Sequence, residues 1–204
     1  MKRLVIAIQS LLSKKKLTGE RVFLRPPKRR DALKWQKLRM SSKSFLVPWE
    51  PSWDASSCTR RTYLRYFKNS NYLANMDRAY SFLIFKTEDK TLLGGINVGN
   101  VRRGVAQSAS LGYWIGEKHS RNGYMKEALK LLIPSLFIDL RLNRIERVRG
   151  RESRDEGGEP CGRPCFSTIG ISYLAHTVGY PHYNLHRFLI RNQALHPPGS
   201  ATAR

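Results

Sequence analysis

Two stretches of the 204-residue sequence hold residue types at spacings that could do chemistry. The first runs from Leu111 to Leu129. Leu111-Gly112-Tyr113-Trp114-Ile115 reads as a strand, Gly116 to Gly123 as a short polar loop, and Tyr124 onward as the first turns of an amphipathic helix. A helix begun in this way has backbone N–H groups with no intrahelical acceptor. Those donors and the positive end of the helix dipole suit a phosphate, although the same segment also fits an ordinary tight turn between strand and helix. The second stretch pairs Cys161 and Cys165 with His182 and His186, spacings that a Cys2His2 zinc site uses. The 16 residues between the pairs exceed the usual finger, and no apolar finger core lies among them. No bound metal is therefore expected.

The composition sets limits on what surrounds these residues. Lys and Arg number 37 against 15 Asp and Glu, a formal charge of +22. Such a field attracts polyanions such as RNA, an anionic membrane or a phosphorylated cofactor; a basic soluble protein with no such partner is the plainer alternative. The length suits one domain. Three cysteines are too few for a disulfide framework and point to a reducing, cytoplasmic setting. Residues 1–18 read as a basic leader in which positions 4, 5, 8, 11 and 12 share one helical face. Its apolar run is too short to span a bilayer, and no signal-peptide cleavage pattern follows.

Several elements must position the 111–129 junction. Glu20 to Arg25 reads as a strand ending at Pro26-Pro27. Asp31 stands where an N-cap belongs, ahead of a helix with Ala32, Leu33, Trp35, Leu38 and Met40. Two prolines and two tryptophans between Phe45 and Trp53 exclude regular helix and leave an aromatic loop that must pack down or line a pocket. Ser56 or Ser57 caps a second helix through Lys68, and a polar loop follows to Arg78. Ala79 to Lys86 and Thr91 to Asn97 form a hairpin around Thr87-Glu88-Asp89-Lys90. A turn at Arg102-Arg103-Gly104 leads into a strand from Val105 to Ile115. The helix from Tyr124 to Leu140 is amphipathic, with Pro134 inside it as an expected kink. Arg141 to Glu146 reads as a loop and a further strand. The composition then changes: all 14 lysines lie in residues 1–146 and none in 147–204.

Four segments in order carry a resemblance: Glu20 to Pro27, Phe45 to Pro51, Asn97 to Gly104, and Leu111 to Leu129. On these, residues 19–146 resemble the GNAT superfamily of N-acetyltransferases, and more narrowly the RimJ-type ribosomal-protein-alanine N-acetyltransferases. The resemblance implies a mixed α/β sheet with helices on both faces and acetyl-CoA bound at the strand-to-helix junction. The superfamily loop Gln/Arg-x-x-Gly-x-Gly/Ala falls on Ser120-Arg121-Asn122-Gly123-Tyr124-Met125; Gly123 is kept, whereas Ser120 and Met125 depart from it. Backbone groups of Tyr113, Trp114 and Ile115 would lie along the pantetheine arm.

The implied chemistry is attack of an amine on a thioester, with no covalent enzyme intermediate. Glu50 is the best acidic candidate for the base, with binding of the substrate amine or of an arginine as its equal alternative; Glu117 ranks below it. Trp49, Tyr63 and Asn100 are candidates for the peptide cleft, with core or turn roles open for Tyr63 and Asn100. The implied substrate is a protein N-terminus, an N-terminal alanine of a ribosomal protein, with contact to ribosomal RNA. The alternative is an inactive, truncated relative that acts as a basic RNA- or ribosome-associated protein. Residues 147–204 lack the Asn-x-x-Ser helix, the Gly-Phe and the final hairpin that the resemblance calls for. They read as an atypical, poorly ordered tail, consistent with a reading-frame change, and the sheet is expected to lack its normal C-terminal strands.

Overall fold

The structure, a computed structural model, describes residues 15–50, 53–54, 56–147 and 170–172, the last three and Arg147 as backbone. The leader positions 4–12, the Cys/His pairs and nearly all of the tail lie outside the described residues.

Tyr80-Ser81-Phe82-Leu83-Ile84-Phe85 is apolar at almost every position, as a strand covered on both faces requires. It forms β3 (Tyr80–Lys86) inside a seven-stranded sheet whose order follows the chain. The other strands are β1 (Leu17–Thr18), β2 (Val22–Arg25), β4 (Leu92–Arg102), β5 (Ser108–Ile115), β6 (Arg144–Arg147) and β7 (Gly170–Ser172). Every pairing is antiparallel except β5 with β6. The leader's last two residues thus belong to the sheet, with Leu17 opposite Leu24. Three residues of the tail reach it too, with Ile171 opposite Ile145.

Helices cover both faces, as the mixed-sheet reading expects. On one face α1 (Ala32–Ser41), the single turn α2 (Lys43–Leu46) and α3 (Arg60–Asn75) pack around Trp35, Leu46 and Tyr63 against Phe23, Leu83, Phe85 and Trp114. On the other, α4 (Tyr124–Ile138) sets Leu129, Leu132 and Leu136 against Val22, Leu24, Phe82, Ile84 and Leu111. Alternating β3 residues therefore feed opposite cores, the period of two that a strand imposes. A bulge in β4 places Ile84 opposite Gly94 but Phe85 opposite Leu92, so Leu93 is the extra residue. That shift lets Leu93 and Ile96 face the same core although three positions separate them. No helix among the described residues is long and apolar enough to cross a membrane.

Several local expectations are corrected. Asp31 occupies the N-cap position of α1, but its carboxylate caps nothing there. It is buried, so it turns back to the Arg25 guanidinium (2.7 Å to each oxygen) and the Lys28 N–H (2.8 Å). The cap of α3 is Thr59, whose hydroxyl accepts from the Thr62 N–H at 3.2 Å. Ser56 and Ser57 are occupied instead by Asp54. The helix also runs past Lys68 to Asn75, because Ser70, Leu73 and Ala74 continue its inward face while the asparagines sit outside. The aromatic loop contains a helical turn and a 3-10 turn, Val47–Trp49, whose first residues accommodate Pro48. β4 continues to Arg102 and β5 begins only at Ser108. Pro134 lies within α4, which continues to Ile138.

Candidate active site

The junction between β5 and α4 is built from backbone. After Ile115 a 3-10 turn, Glu117–His119, carries the chain to Ser120, whose hydroxyl donates to the Glu117 carbonyl at 2.7 Å. Arg121 (φ 61) and Gly123 (φ 78) are both left-handed and wind the loop into the helix. Gly123 is the N-cap of α4, and no side chain closes that helix end. Without a Cβ it accepts the left-handed turn at little cost, and an added methyl would crowd the Arg21 guanidinium at 3.3 Å. The first N–H groups of α4, from Tyr124 onward, point toward the loop without helical acceptors. Arg121 and Lys126 are exposed around them. Burial pushes the His119 imidazole below its ordinary 6.5.

Arg21 and Glu127, which sequence reasoning missed, hold this end of the helix. Glu127 accepts from the Arg21 N–H (2.8 Å), the Arg21 Nε (3.0 Å) and the Val22 N–H (3.2 Å), and Arg21 Nη1 donates to the Asn122 carbonyl at 3.3 Å. Burial alone would raise the Glu127 carboxyl, but these donors outweigh it and hold it below the usual carboxylate range. Glu127 sits in the first turn of its helix, a visible signal; Arg21 lies 106 residues away and gave none.

β5 supplies the second part of the site. The Gly116 N–H donates to the Leu93 carbonyl at 2.8 Å, so Gly116, Trp114 and Gly112 turn their backbone groups to β4. Tyr113 and Ile115 turn theirs the other way. Among the described residues the ladder with β6 runs from Ser108 to Leu111. Of the three expected strand residues, Tyr113 and Ile115 thus direct backbone groups to the side of β5 on which β6 pairs. Trp114 instead sends its backbone to β4 and its ring into the opposite core.

The third part is the segment after α1. Glu50 is held between Arg39 and Trp53: each Arg39 Nη donates to one carboxylate oxygen, and Trp53 Nε1 donates at 2.8 Å. The Arg39 guanidinium lies against the rings of Trp35, Trp53 and Trp114, 4.6 to 5.1 Å from their centroids. Its Nε is buried with no hydrogen-bond partner among the described residues. Of the roles left open for Glu50, the geometry displays arginine binding. Buried Cys58 lies close by; burial raises its thiol above the ordinary range, and Arg39 opposes the rise. α1 also touches the junction directly: the Glu117 N–H donates to Ser42 Oγ at 3.0 Å, and a Cβ at Gly116 would run into Leu38.

The three acceptor-side candidates part company. Trp49 is 57% exposed beside Glu50. Tyr63 is buried in the α1–α3 contact with its hydroxyl donating to the Lys28 carbonyl at 2.7 Å, and burial pushes that phenol far above its ordinary range. This is the core role, because a ring with no exposed surface cannot meet a substrate. Asn100 is left-handed (φ 50) and donates to Ser110 Oγ at 3.1 Å. It lies six residues along β4 from Gly94, which faces Ile115, so it serves the far end of the strand pair, about 20 Å away. No cluster of metal-binding side chains occurs among the described residues.

Residues 21–148 match the acetyltransferase (GNAT) domain family. Over 125 residues the chain is 33% identical to the ribosomal protein uS5-alanine N-acetyltransferase of Escherichia coli (strain K12), covering 61% of this chain and 64% of that one. The chain thus spans just under two thirds of the length of that relative. Among solved structures it is similar to Mycobacterium smegmatis RimJ in complex with CoA-disulfide (TM-score 0.63, 27% identity, 69% of this chain and 70% of that one). The fold also matches ribosomal-protein-S5-alanine acetyltransferase from Vibrio fischeri (TM-score 0.62, 20% identity, 69% and 77%).

Proposed function

Since the chain belongs to the GNAT acetyltransferase domain family, we propose that it transfers an acetyl group from acetyl-CoA to the N-terminal amine of a protein, an N-terminal alanine of a ribosomal protein. The observation that carries the reading is the uncapped N-terminus of α4 behind left-handed Gly123, just past the end of β5. The donors there fit a pyrophosphate: backbone N–H groups, the helix dipole and exposed cations. Ser120 already spends its hydroxyl on the loop, so its departure from the superfamily motif removes no backbone donor.

In this reading the backbone from Gly123 to Lys126 holds the pyrophosphate, and Tyr113 and Ile115 face the pantetheine arm. Acetyl-CoA supplies an activated thioester. The uncharged amine attacks its carbonyl, a C–N bond forms, the C–S bond breaks, and CoA leaves as the thiol. Glu50 fixes the aromatic loop through Arg39, and exposed Trp49 flanks the acceptor; water takes the ammonium proton. A cytoplasmic setting goes with such a substrate.

The test is incubation of the purified chain with acetyl-CoA and an alanine-starting peptide, read by intact mass and fragment mapping. One acetyl group on the α-amine is the expected result. No transfer, together with salt-sensitive RNA binding, would favour the inactive RNA- or ribosome-associated relative. That second reading draws on the family match ending at residue 148, beyond which the sequence has no lysine.

A further inference from the structure

The layer formed by α1 and α3 carries cations that the junction does not use. From Pro26 to Met76 the chain has eleven Lys and Arg against three acids. Two of those acids lie inside ion pairs, Asp31 with Arg25 and Glu50 with Arg39. Asp54 is the exposed one, and its carboxylate is engaged by two serine hydroxyls. The cations are arranged. On α3, Arg61, Arg65 and Lys68 stand at i, i+4 and i+7, all exposed, and Tyr72 continues the stripe at i+11 with 58% of its surface open. Arg30, in the 3-10 turn before α1, and Lys34 and Lys37, on α1 itself, are also exposed, with Lys34 Nζ donating to the Lys90 carbonyl at 2.9 Å. The two helices meet through other faces, where Trp35 lies 5.4 Å from Tyr63 and 6.5 Å from Tyr66 between ring centroids. Both sets of cations therefore point away from the core.

We propose that this outer face of the α1–α3 layer docks RNA. A stripe about 10 Å long from Arg61 to Lys68 presents charge after charge, which suits a chain of phosphates better than a single carboxylate. Tyr72 at its end offers an open ring on which a base can stack. The flanking positions Asn69, Asn71 and Asn75 are exposed amides. They suit base edges and 2′-hydroxyls, which sets RNA ahead of a lipid surface along α3; the exposed apolar side chains Leu33 and Met40 lie on α1. Across the sheet α4 has just Lys126 and Lys130, with Glu127 between them. The surface lies apart from the α4 junction, so it stands whether or not the acetyl-transfer reading does.

The test uses the full chain and a fluorescent RNA hairpin with a single-stranded loop, with anisotropy followed against KCl. Replacing Arg61, Arg65 and Lys68 together by Gln should make the slope of log affinity against log salt shallower by about 2. The same charge loss at exposed Arg78, Arg102 and Lys130 should change the slope by less than half of that. Tyr72→Ala should weaken binding about tenfold with the slope unchanged. Circular dichroism confirms that each variant is folded, and acetylation of a free alanine peptide, where wild type shows it, should stay at the wild-type rate. Equal slope changes in the two triple variants, no RNA binding by the wild type, or tighter binding to phosphatidylserine vesicles than to RNA would each overturn the proposal.

Discussion

The two helical layers that enclose the sheet are made of different material. The α4 layer is aliphatic, with Leu129, Leu132, Ile133 and Leu136 packed on a strand face of the same kind. What it offers to a ligand is backbone, at one helix end. The α1–α3 layer is aromatic and ionic, with Trp35, Tyr63, Phe85 and Trp114 around an arginine-carboxylate pair. What it offers is side chains: an exposed tryptophan beside the clasp and cations on the outside. A backbone site tolerates side-chain change so long as its turn is kept, so Ser120 and Met125 can depart from a motif while Gly123 cannot. A side-chain cage has no such latitude.

That contrast predicts where each layer fails. Trp35→Ala should cost about 4 kcal/mol in urea unfolding, more than Leu132→Ala at about 3 kcal/mol, because Trp35 loses two ring contacts and the Arg39 contact with its volume. Equal costs would show that the aromatic layer is no more interlocked than the aliphatic one. Glu50→Gln leaves the Arg39 charge enclosed by three tryptophans without its counterion and should cost about 3 kcal/mol by the same measurement. Gly123→Ala forces a side chain into the left-handed region and should weaken CoA binding about tenfold in titration calorimetry. Unchanged affinity would remove the backbone turn from the site. Thr59→Ala, which deletes the cap of α3, should lower stability by about 1 kcal/mol.

The smallest effect concerns pH. The folded Glu127 carboxyl is held below its ordinary 4.5, so the unfolded chain binds the proton more readily. Its contribution is complete above that ordinary value and disappears as pH falls through the folded one. The acid limb of the stability profile should be less steep in Glu127→Gln. An unchanged limb would mean that the donors from Arg21 and Val22 do not hold the charged form.

Much of this was legible from the chain. Local patterns declared β2, β3, α4 and the β5–α4 loop, because each is set by alternation, by helical period or by a glycine that must turn. The length of α3 was hidden because Asn69, Asn71 and Asn75 read as loop residues, although they are the wet face of a helix whose other side is buried. Asp31 looked like a cap until burial gave it a stronger partner in Arg25. The site's ties, Arg21 to Glu127 and Ser42 to Glu117, join residues 106 and 75 positions apart, and no local pattern encodes such pairs. Glu50 was found for its aromatic neighbours, but its Arg39 partner lies 11 residues earlier on α1, a pairing that no local pattern encodes.

The sheet order has a consequence for how the chain is born. Strands β1 to β7 lie side by side in the sequence in which they leave the ribosome. Each new strand can add to an edge that already exists, with α1 to α3 inserted before β3 and α4 before β6. No early strand waits for a partner still to be synthesised on its other side, except at the growing margin. Assembly can therefore advance as a front from the amino end, and the growing edge that could recruit another nascent chain moves outward with each strand, away from the β1 edge.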